Sequence, residues 1–182
     1  MKVGLSLVLS DLKCNYKEYF DEANESYGWY QWKPHANCRG QFTWRRNQPN
    51  WIPPRALPGG RDVDGTPLYV GRAMHEGDLL PAKVRADGMT AYVSYGGREF
   101  PEHQFEILAS HHVAWQHSSN GEINNQAMVV GKTRQGEPLY AGRAWYNGSI
   151  TLGKVHPSHK CLYIPFNGQE IRINEYEIML LL

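Results

Sequence analysis

A nine-residue string occurs twice in this chain: Gly65-Thr66-Pro67-Leu68-Tyr69-Val70-Gly71-Arg72-Ala73 returns as Gly136-Glu137-Pro138-Leu139-Tyr140-Ala141-Gly142-Arg143-Ala144, 71 positions later. The same offset holds without a gap on both sides. Trp44 meets Trp115, Ile52 meets Ile123, Gly60 meets Gly131, Lys83-Val84 meets Lys154-Val155, Glu99 meets Glu170, and Glu106-Ile107 meets Glu177-Ile178. An ungapped match of this length is a duplication. It constrains the fold more than any local propensity, because both copies must follow one chain path.

Each copy reads as β structure. No segment sustains an apolar period of 3.6, and turn signals separate short β-prone runs. Pro67–Ala73 is the core strand of the first copy, with Leu68 and Val70 on one face and Tyr69 on the other. His75-Glu76-Gly77-Asp78 turns the chain. Strands are expected over Leu79–Val84, Ala91–Tyr95 and Gln104–Ala109, with a return beginning at Arg98–Phe100. Gly59–Gly65 reads as a glycine-rich approach to the Asp64-Gly65 turn. The second copy repeats the plan over Ala114–Gln116, Leu139–Ala144, Leu152–Val155, Cys161–Phe166 and Glu175–Leu181. A unit of about 70 residues buries little core alone. The fold expected is therefore all-β, with two pseudo-twofold-related antiparallel repeats packed as one body and strand exchange between them as a way to cover edges. The organisation expected is an aromatic extension over residues 1–40, a first repeat over 41–109 and a second over 110–182. Tyr27–Trp32 in the extension reads as a strand of large residues, and the extension itself as an interaction arm or a packed or loosely held tail.

Composition narrows the function. Nineteen basic and 18 acidic residues give a net charge of +1, no electrostatic case for nucleic acid. No apolar run is long enough to span a membrane. Three cysteines, Cys14, Cys38 and Cys161, include no CxxC pair. They fit reduced thiols in a cytoplasmic protein; a Cys14–Cys38 bridge would belong to a secreted one. Met1–Ser10 has a short apolar run with no small-x-small cleavage site, so it reads as a strand or a disordered start, and secretion would proceed without a clear signal peptide. No nucleophile elbow, phosphate loop or HExxH pair is present, and the eight histidines are scattered, so no enzyme is expected. His75-Glu76-x-Asp78 is the nearest approach to a metal motif, but its copy, Tyr146-Asn147-x-Ser149, has no ligating set; no metal and no cofactor are expected.

The order Gly-x-Pro-Leu-Tyr-Val-Gly-Arg-Ala-x-His-Glu-Gly-Asp-Leu-x-Pro-x-Lys-Val, then Tyr-Val-x-Tyr-Gly-Gly-x-Glu, then Phe-Glu-Ile-Leu, resembles the DM-nine repeat of invertebrate proteins, which occurs as tandem copies of this length. The resemblance covers residues 44 to about 180. It implies a mannose-binding lectin of the pattern-recognition type, acting in innate immunity on microbial surfaces. In sugar-binding members an Asp after Gly-Gly-x and a Lys after Pro-x hold the ligand. Carried over, these are Asp62 and Lys83, with Thr133 and Lys154 as a weaker second site.

The residue types suit the chemistry. A carboxylate accepts from two vicinal hydroxyls, a cation donates, and an aromatic plane covers a ring face. Trp145 and Tyr146 are candidate platforms. Plainer roles remain open: Asp62 as a turn cap, Lys83 and Lys154 as solvated charges or partners of Glu99 and Glu170, Arg72 and Arg143 as internal anchors, and Trp44 and Trp115 as core. Sites paired in one chain or in a homodimer would gain avidity. The alternative to a lectin is a protein-interaction scaffold of a stress or infection response, without sugar binding.

Overall fold

The computed structural model describes residues 42–182 together with Lys17–Tyr19 and Gln31–Lys33. The chain divides into two compact units, Met1–Gly40 and Gln41–Leu182. In the first unit β1 (Lys17–Tyr19) and β2 (Gln31–Lys33) pair antiparallel, with Glu18 opposite Trp32. Only Gln31 and Trp32 of the expected Tyr27–Trp32 strand are described. Met1–Ser10, Cys14 and Cys38 lie outside the described residues.

The second unit contains both repeats and is all-β, with no helix among the described residues. The first repeat supplies β3 (Phe42–Arg46), β4 (Pro58–Arg61), β5 (Pro67–His75), β6 (Asp78–Arg85), β7 (Ala91–Tyr95), β8 (Arg98–Glu102) and β9 (Phe105–Ser110). The second supplies β10 (Val113–Ser119), β11 (Val129–Lys132), β12 (Pro138–Tyr146), β13 (Ser149–His156), β14 (Cys161–Phe166), β15 (Gln169–Ile173) and β16 (Glu175–Leu181). The turns that join them follow from sequence. Glu76-Gly77, Gly96-Gly97, Asn147-Gly148 and Asn167-Gly168 all hold positive φ, the two-residue geometry that matches strand twist in a tight hairpin.

All pairings in this unit are antiparallel, and they form one sheet of 14 strands. Followed from β12 through β11, β6, β7, β8, β15, β14 and β13, the ladder returns to β12. The sheet is thus closed, with β3 and β10 as its outer strands. Closure depends on exchange between the repeats. β11 leaves its own repeat to pair Lys132 with Leu79 of β6, and β4 does the reciprocal thing, pairing Arg61 with Ile150 of β13. On the pseudo-twofold itself, Gln169 of β15 faces Arg98 of β8.

β4 and β11 are the strands that sequence reading passed over. β4 is Pro58-Gly59-Gly60-Arg61, with almost no side chains to alternate, and β11 is only four residues that begin with two adjacent valines, so neither shows a period-2 signal. Geometry explains the glycines. Both strands carry a bulge, between Pro58 and Gly60 and between Val129 and Gly131. A Cβ on Gly60 would lie 1.9 Å from the Ile150 carbonyl oxygen, and one on Gly131 would lie 1.9 Å from that of Leu79. The backbone of one repeat presses on the backbone of the other at each of these points.

β6 and β13 change partner along their length, pairing first with the opposite repeat and then with β7 or β14 of their own. Both faces are covered, so the alternation expected for a half-exposed strand is lost and β6 is buried from Asp78 to Val84. Two matching cores result: Ala73, Val84, Ala91, Val93, Phe105 and Ile107 in one half, and Ala144, Val155, Leu162, Ile164, Tyr176 and Ile178 in the other. Leu139 of the second repeat packs into the first core.

Gly60→Ala and Gly131→Ala should each cost at least about 2 kcal/mol, the scale of overpacking against a part that cannot yield. For a chain of this size that lowers Tm by roughly 4–8 °C. Gly136→Asn, at a φ of +90° with open space around it, should cost far less. Calorimetry on the three variants checks the order.

Candidate functional site

The turn before each core strand is built the same way. Asp62 N–H donates to Thr66 O at 2.8 Å and Gly65 N–H to Asp62 O at 2.9 Å. Asp62 Oδ1 accepts from Val63 N–H at 2.8 Å, so the side chain caps its own turn. Oδ2 has no protein partner among the described residues. Thr133 occupies the same place: its N–H donates to Glu137 O at 2.9 Å, and its Oγ1 accepts from Glu137 N–H at 3.1 Å. The hydroxyl proton is left over for a ligand. At Asp64 the hydrogen bonds from the side chain and backbone of Thr66 hold the carboxyl below its usual range.

Lys83 and Lys154 are not solvated charges. Lys83 Nζ donates to the Pro165 carbonyl of the other repeat at 2.6 Å and lies 3.2 Å from Glu99 Oε1. Lys154 Nζ donates to the Ser94 carbonyl at 2.5 Å and lies 3.0 Å from Glu170 Oε1. The Lys154–Glu170 contact is a charge contact rather than a directed hydrogen bond, since that oxygen otherwise has no donor. The other oxygen of each glutamate crosses the boundary too. Glu99 Oε2 accepts from Gly168 N–H and Glu170 Oε2 from Gly97 N–H, both at 2.7 Å. Tyr92 and Phe166 flank Lys83, and Tyr95 and Tyr163 flank Lys154. Each ammonium has three donors, and the two named partners leave one N–H for a ligand.

The arginines are internal anchors. Arg72 Nε meets Glu106 Oε2 at 2.7 Å and Arg143 Nε meets Glu177 Oε2 at 2.7 Å. Arg72 also reaches Val130 O and Arg143 reaches Gly59 O, each on the opposite repeat's exchanged strand or its mate. Trp44 and Trp115 are half-buried and lie over the Arg72 and Arg143 guanidiniums, at 4.1 and 4.4 Å, so they cap the anchors rather than fill the core. His75 binds Glu102 at 2.7 Å, while Asp78 Oδ1 accepts from Arg134 N–H at 2.8 Å. Among the described residues no three His, Cys, Asp or Glu side chains gather as a metal site would require, and no helix is long and apolar enough to cross a membrane.

Thr133 and Lys154 do come together. They line one cleft of about 300 Å³ with Arg134, Gln135, His156, His159, Tyr163 and Glu170 of their own repeat and Asp78, Tyr95 and Gly96 of the other. At the 71-residue offset the same positions in the other half are Asp62, Val63, Asp64, Lys83, Arg85, Tyr92, Glu99, Ser149 and Phe166, among others. Direct contacts hold parts of that set in place: Ser149 Oγ donates to Arg61 O at 2.9 Å, and Lys83 lies 5.8 Å from the Phe166 ring. Beside it Trp145 is 63% exposed, while Tyr146 packs edge-on against Phe166 at 5.0 Å. Sequence reading could not see that the Thr133–Lys154 cleft draws on both repeats. It also missed His156 and His159, whose rings stack 3.7 Å apart.

The DM9 repeat model matches residues 62–173, more than half of the chain. The chain belongs to the DM9 repeat family. Natterin-3 and natterin-4 of Thalassophryne nattereri are similar to it, at 29% identity over 96 residues and 27% over 132. These matches take in 50% and 70% of this DM9 chain but 24% and 31% of the natterins, so the chain spans a quarter to a third of their length. Among solved structures the nematode sperm cell motility protein MFP2B shares the fold, with a TM-score of 0.55 at 14% identity, over 78% of this chain and 47% of that one.

The lysines make the DM9 pair interdependent. Lys154→Met leaves Glu170 buried and unpaired, which should cost about 3–5 kcal/mol. The double variant Lys154→Met/Glu170→Met should recover much of that loss in denaturant melts. A pH effect follows from His156. Burial, with His159 beside it, holds the imidazole below its ordinary range, against the opposing pull of Glu137 3.2 Å away. The unfolded chain therefore takes up a proton first. The stability that His156 contributes is full above the unfolded pKa of about 6.5 and lost as pH falls below it. His156→Gln should flatten Tm against pH between 7 and 5.

Proposed function

We propose that this DM9 tandem is a non-catalytic, lectin-like protein that binds mannose-type glycans, serves pattern recognition in innate immunity and works in the cytoplasm. Membership of the DM9 family and similarity to natterins favour a lectin-like or immune-related role. The observation that carries the sugar reading is the cleft in which the Thr133 hydroxyl, a buried Lys154 ammonium and the rings of Tyr95 and Tyr163 converge. A hydroxyl-rich ring needs that combination: an acceptor, a donor and an apolar face. In the other half Asp62 replaces Thr133, and its free Oδ2 is the stronger acceptor because it is charged. Mannose therefore binds best at Asp62 and Lys83, with Thr133 and Lys154 holding it more weakly. Shallow single sites bind weakly, so two per chain, or four in a homodimer, would work through avidity.

Asp62→Asn keeps an oxygen for the turn cap but removes the charge. Titration calorimetry with mannose should show affinity falling at least tenfold, with Tm changed by no more than about 2 °C, since charge-assisted hydrogen bonds are worth about 1.5–3 kcal/mol. Unchanged affinity would reject the site. No binding of wild type to any mannose-containing glycan would turn the reading toward a protein-interaction scaffold.

A further inference from the structure

The two halves have diverged in charge. The turn at the first carries Asp62 and Asp64, with Val63 between them; the second carries Thr133, Arg134 and Gln135. His156 and His159 replace Arg85 and Gly88 along the same wall. The cleft beside Lys154 has thus lost the two turn carboxylates and gained two imidazoles; its guanidinium stands at Arg134 rather than at the Arg85 position, and it has Asp78 where the other half has Ser149. The carboxylates that remain there are committed. Asp78 accepts from Arg134 N–H at 2.8 Å, and Glu170 is held by Lys154 and by Gly97 N–H. Arg134 has no ion pair among the described residues, and its side chain runs past Gly77 at the mouth of the cleft.

We propose that the Thr133–Lys154 cleft prefers an anionic sugar to mannose, a hydroxyl-rich ring bearing a carboxylate or phosphate, whose oxyanion is held by Arg134 and the His156–His159 pair. The proposal rests on the carbohydrate reading above and assigns the two halves different ligands. A planar guanidinium forks onto an oxyanion, while Thr133 and the spare N–H of Lys154 serve ring hydroxyls.

The histidines add a pH dependence. His156 is buried and stacks on His159 at 3.7 Å with the rings 3° from parallel. Its other charged neighbours are Glu137 at 3.2 Å, Lys154 and Asp78, and Ser158 Oγ lies 3.3 Å from its Nδ1. Burial disfavours a charged His156 ring, and an anion set against that ring offsets the cost. Binding an anion therefore takes up a proton, and affinity rises as pH falls, by up to about tenfold per pH unit for one proton.

The test is calorimetric titration of the whole chain at pH 7.5 and 5.5 with mannose, glucuronate, mannose 6-phosphate and inorganic phosphate. Glucuronate keeps one charge across this range, so its response reports the protein. It should bind at least fivefold more tightly at pH 5.5, while mannose changes little. Arg134→Gln and His159→Gln, both at exposed positions, should lose glucuronate and keep mannose; Asp62→Asn should do the reverse. Comparison of glucuronate with mannose 6-phosphate tells which oxyanion is preferred. If mannose binds and neither acidic sugar binds more tightly than it at pH 5.5, this proposal falls and the lectin reading stands. If glucuronate binds with the expected pH response and mannose does not, the reverse holds. If no sugar binds, both fall. Inorganic phosphate binding as tightly as the acidic sugars would also overturn the proposal, because the ring would then go unrecognised.

Discussion

Two buried ammonium groups, each bonded to a carbonyl of the opposite repeat, are the constraint on which the rest of this structure depends. An ammonium taken out of water is costly unless its donors are met. Lys83 and Lys154 meet theirs with Pro165 O and Ser94 O, across the repeat boundary. Glu99 and Glu170 neutralise the charges and bind Gly168 and Gly97 N–H on the far side. Neither repeat can satisfy its own lysine. The exchanged strands β4 and β11 add backbone pairing at Arg61–Ile150 and Lys132–Leu79, and the tight glycine contacts beside them leave no room for an altered register.

The same contacts create the cleft. The turn that carries Thr133 follows directly after β11, and Lys154 lies on the strand β13 that β12 and β14 flank. Tyr95 and Gly96 come from the hairpin whose tip meets its twin at the pseudo-twofold. A ligand in the cleft would touch parts of both repeats.

Much of this was legible in the sequence. The duplication, the all-β class, the core strands and the exchange of edges follow from an ungapped offset and from turn residues such as Glu76-Gly77 and Asn147-Gly148. β4 and β11 were not, because the Gly59-Gly60 run and the adjacent valines of β11 give no alternation; β15 was passed over although Glu170–Ile173 does alternate. The roles of Asp62 and Thr133 were half legible. Their turn position was plain, but the bonds they make to Val63 and Glu137 N–H needed coordinates. The lysines read equally well as ligands, solvated charges or ion pairs. Only the carbonyl partners, 82 and 60 residues away in the chain, decide that they are buried links. Contacts so distant leave no local pattern.

The proposal that joins the internal symmetry to recognition is that sugar is held at the repeat boundary. A crystal structure with mannose bound tests that claim most directly. The ring should lie against Asp62 Oδ2 and the spare N–H of Lys83, touching residues of both repeats. A ring bound elsewhere on the sheet, contacting one repeat alone, would contradict it.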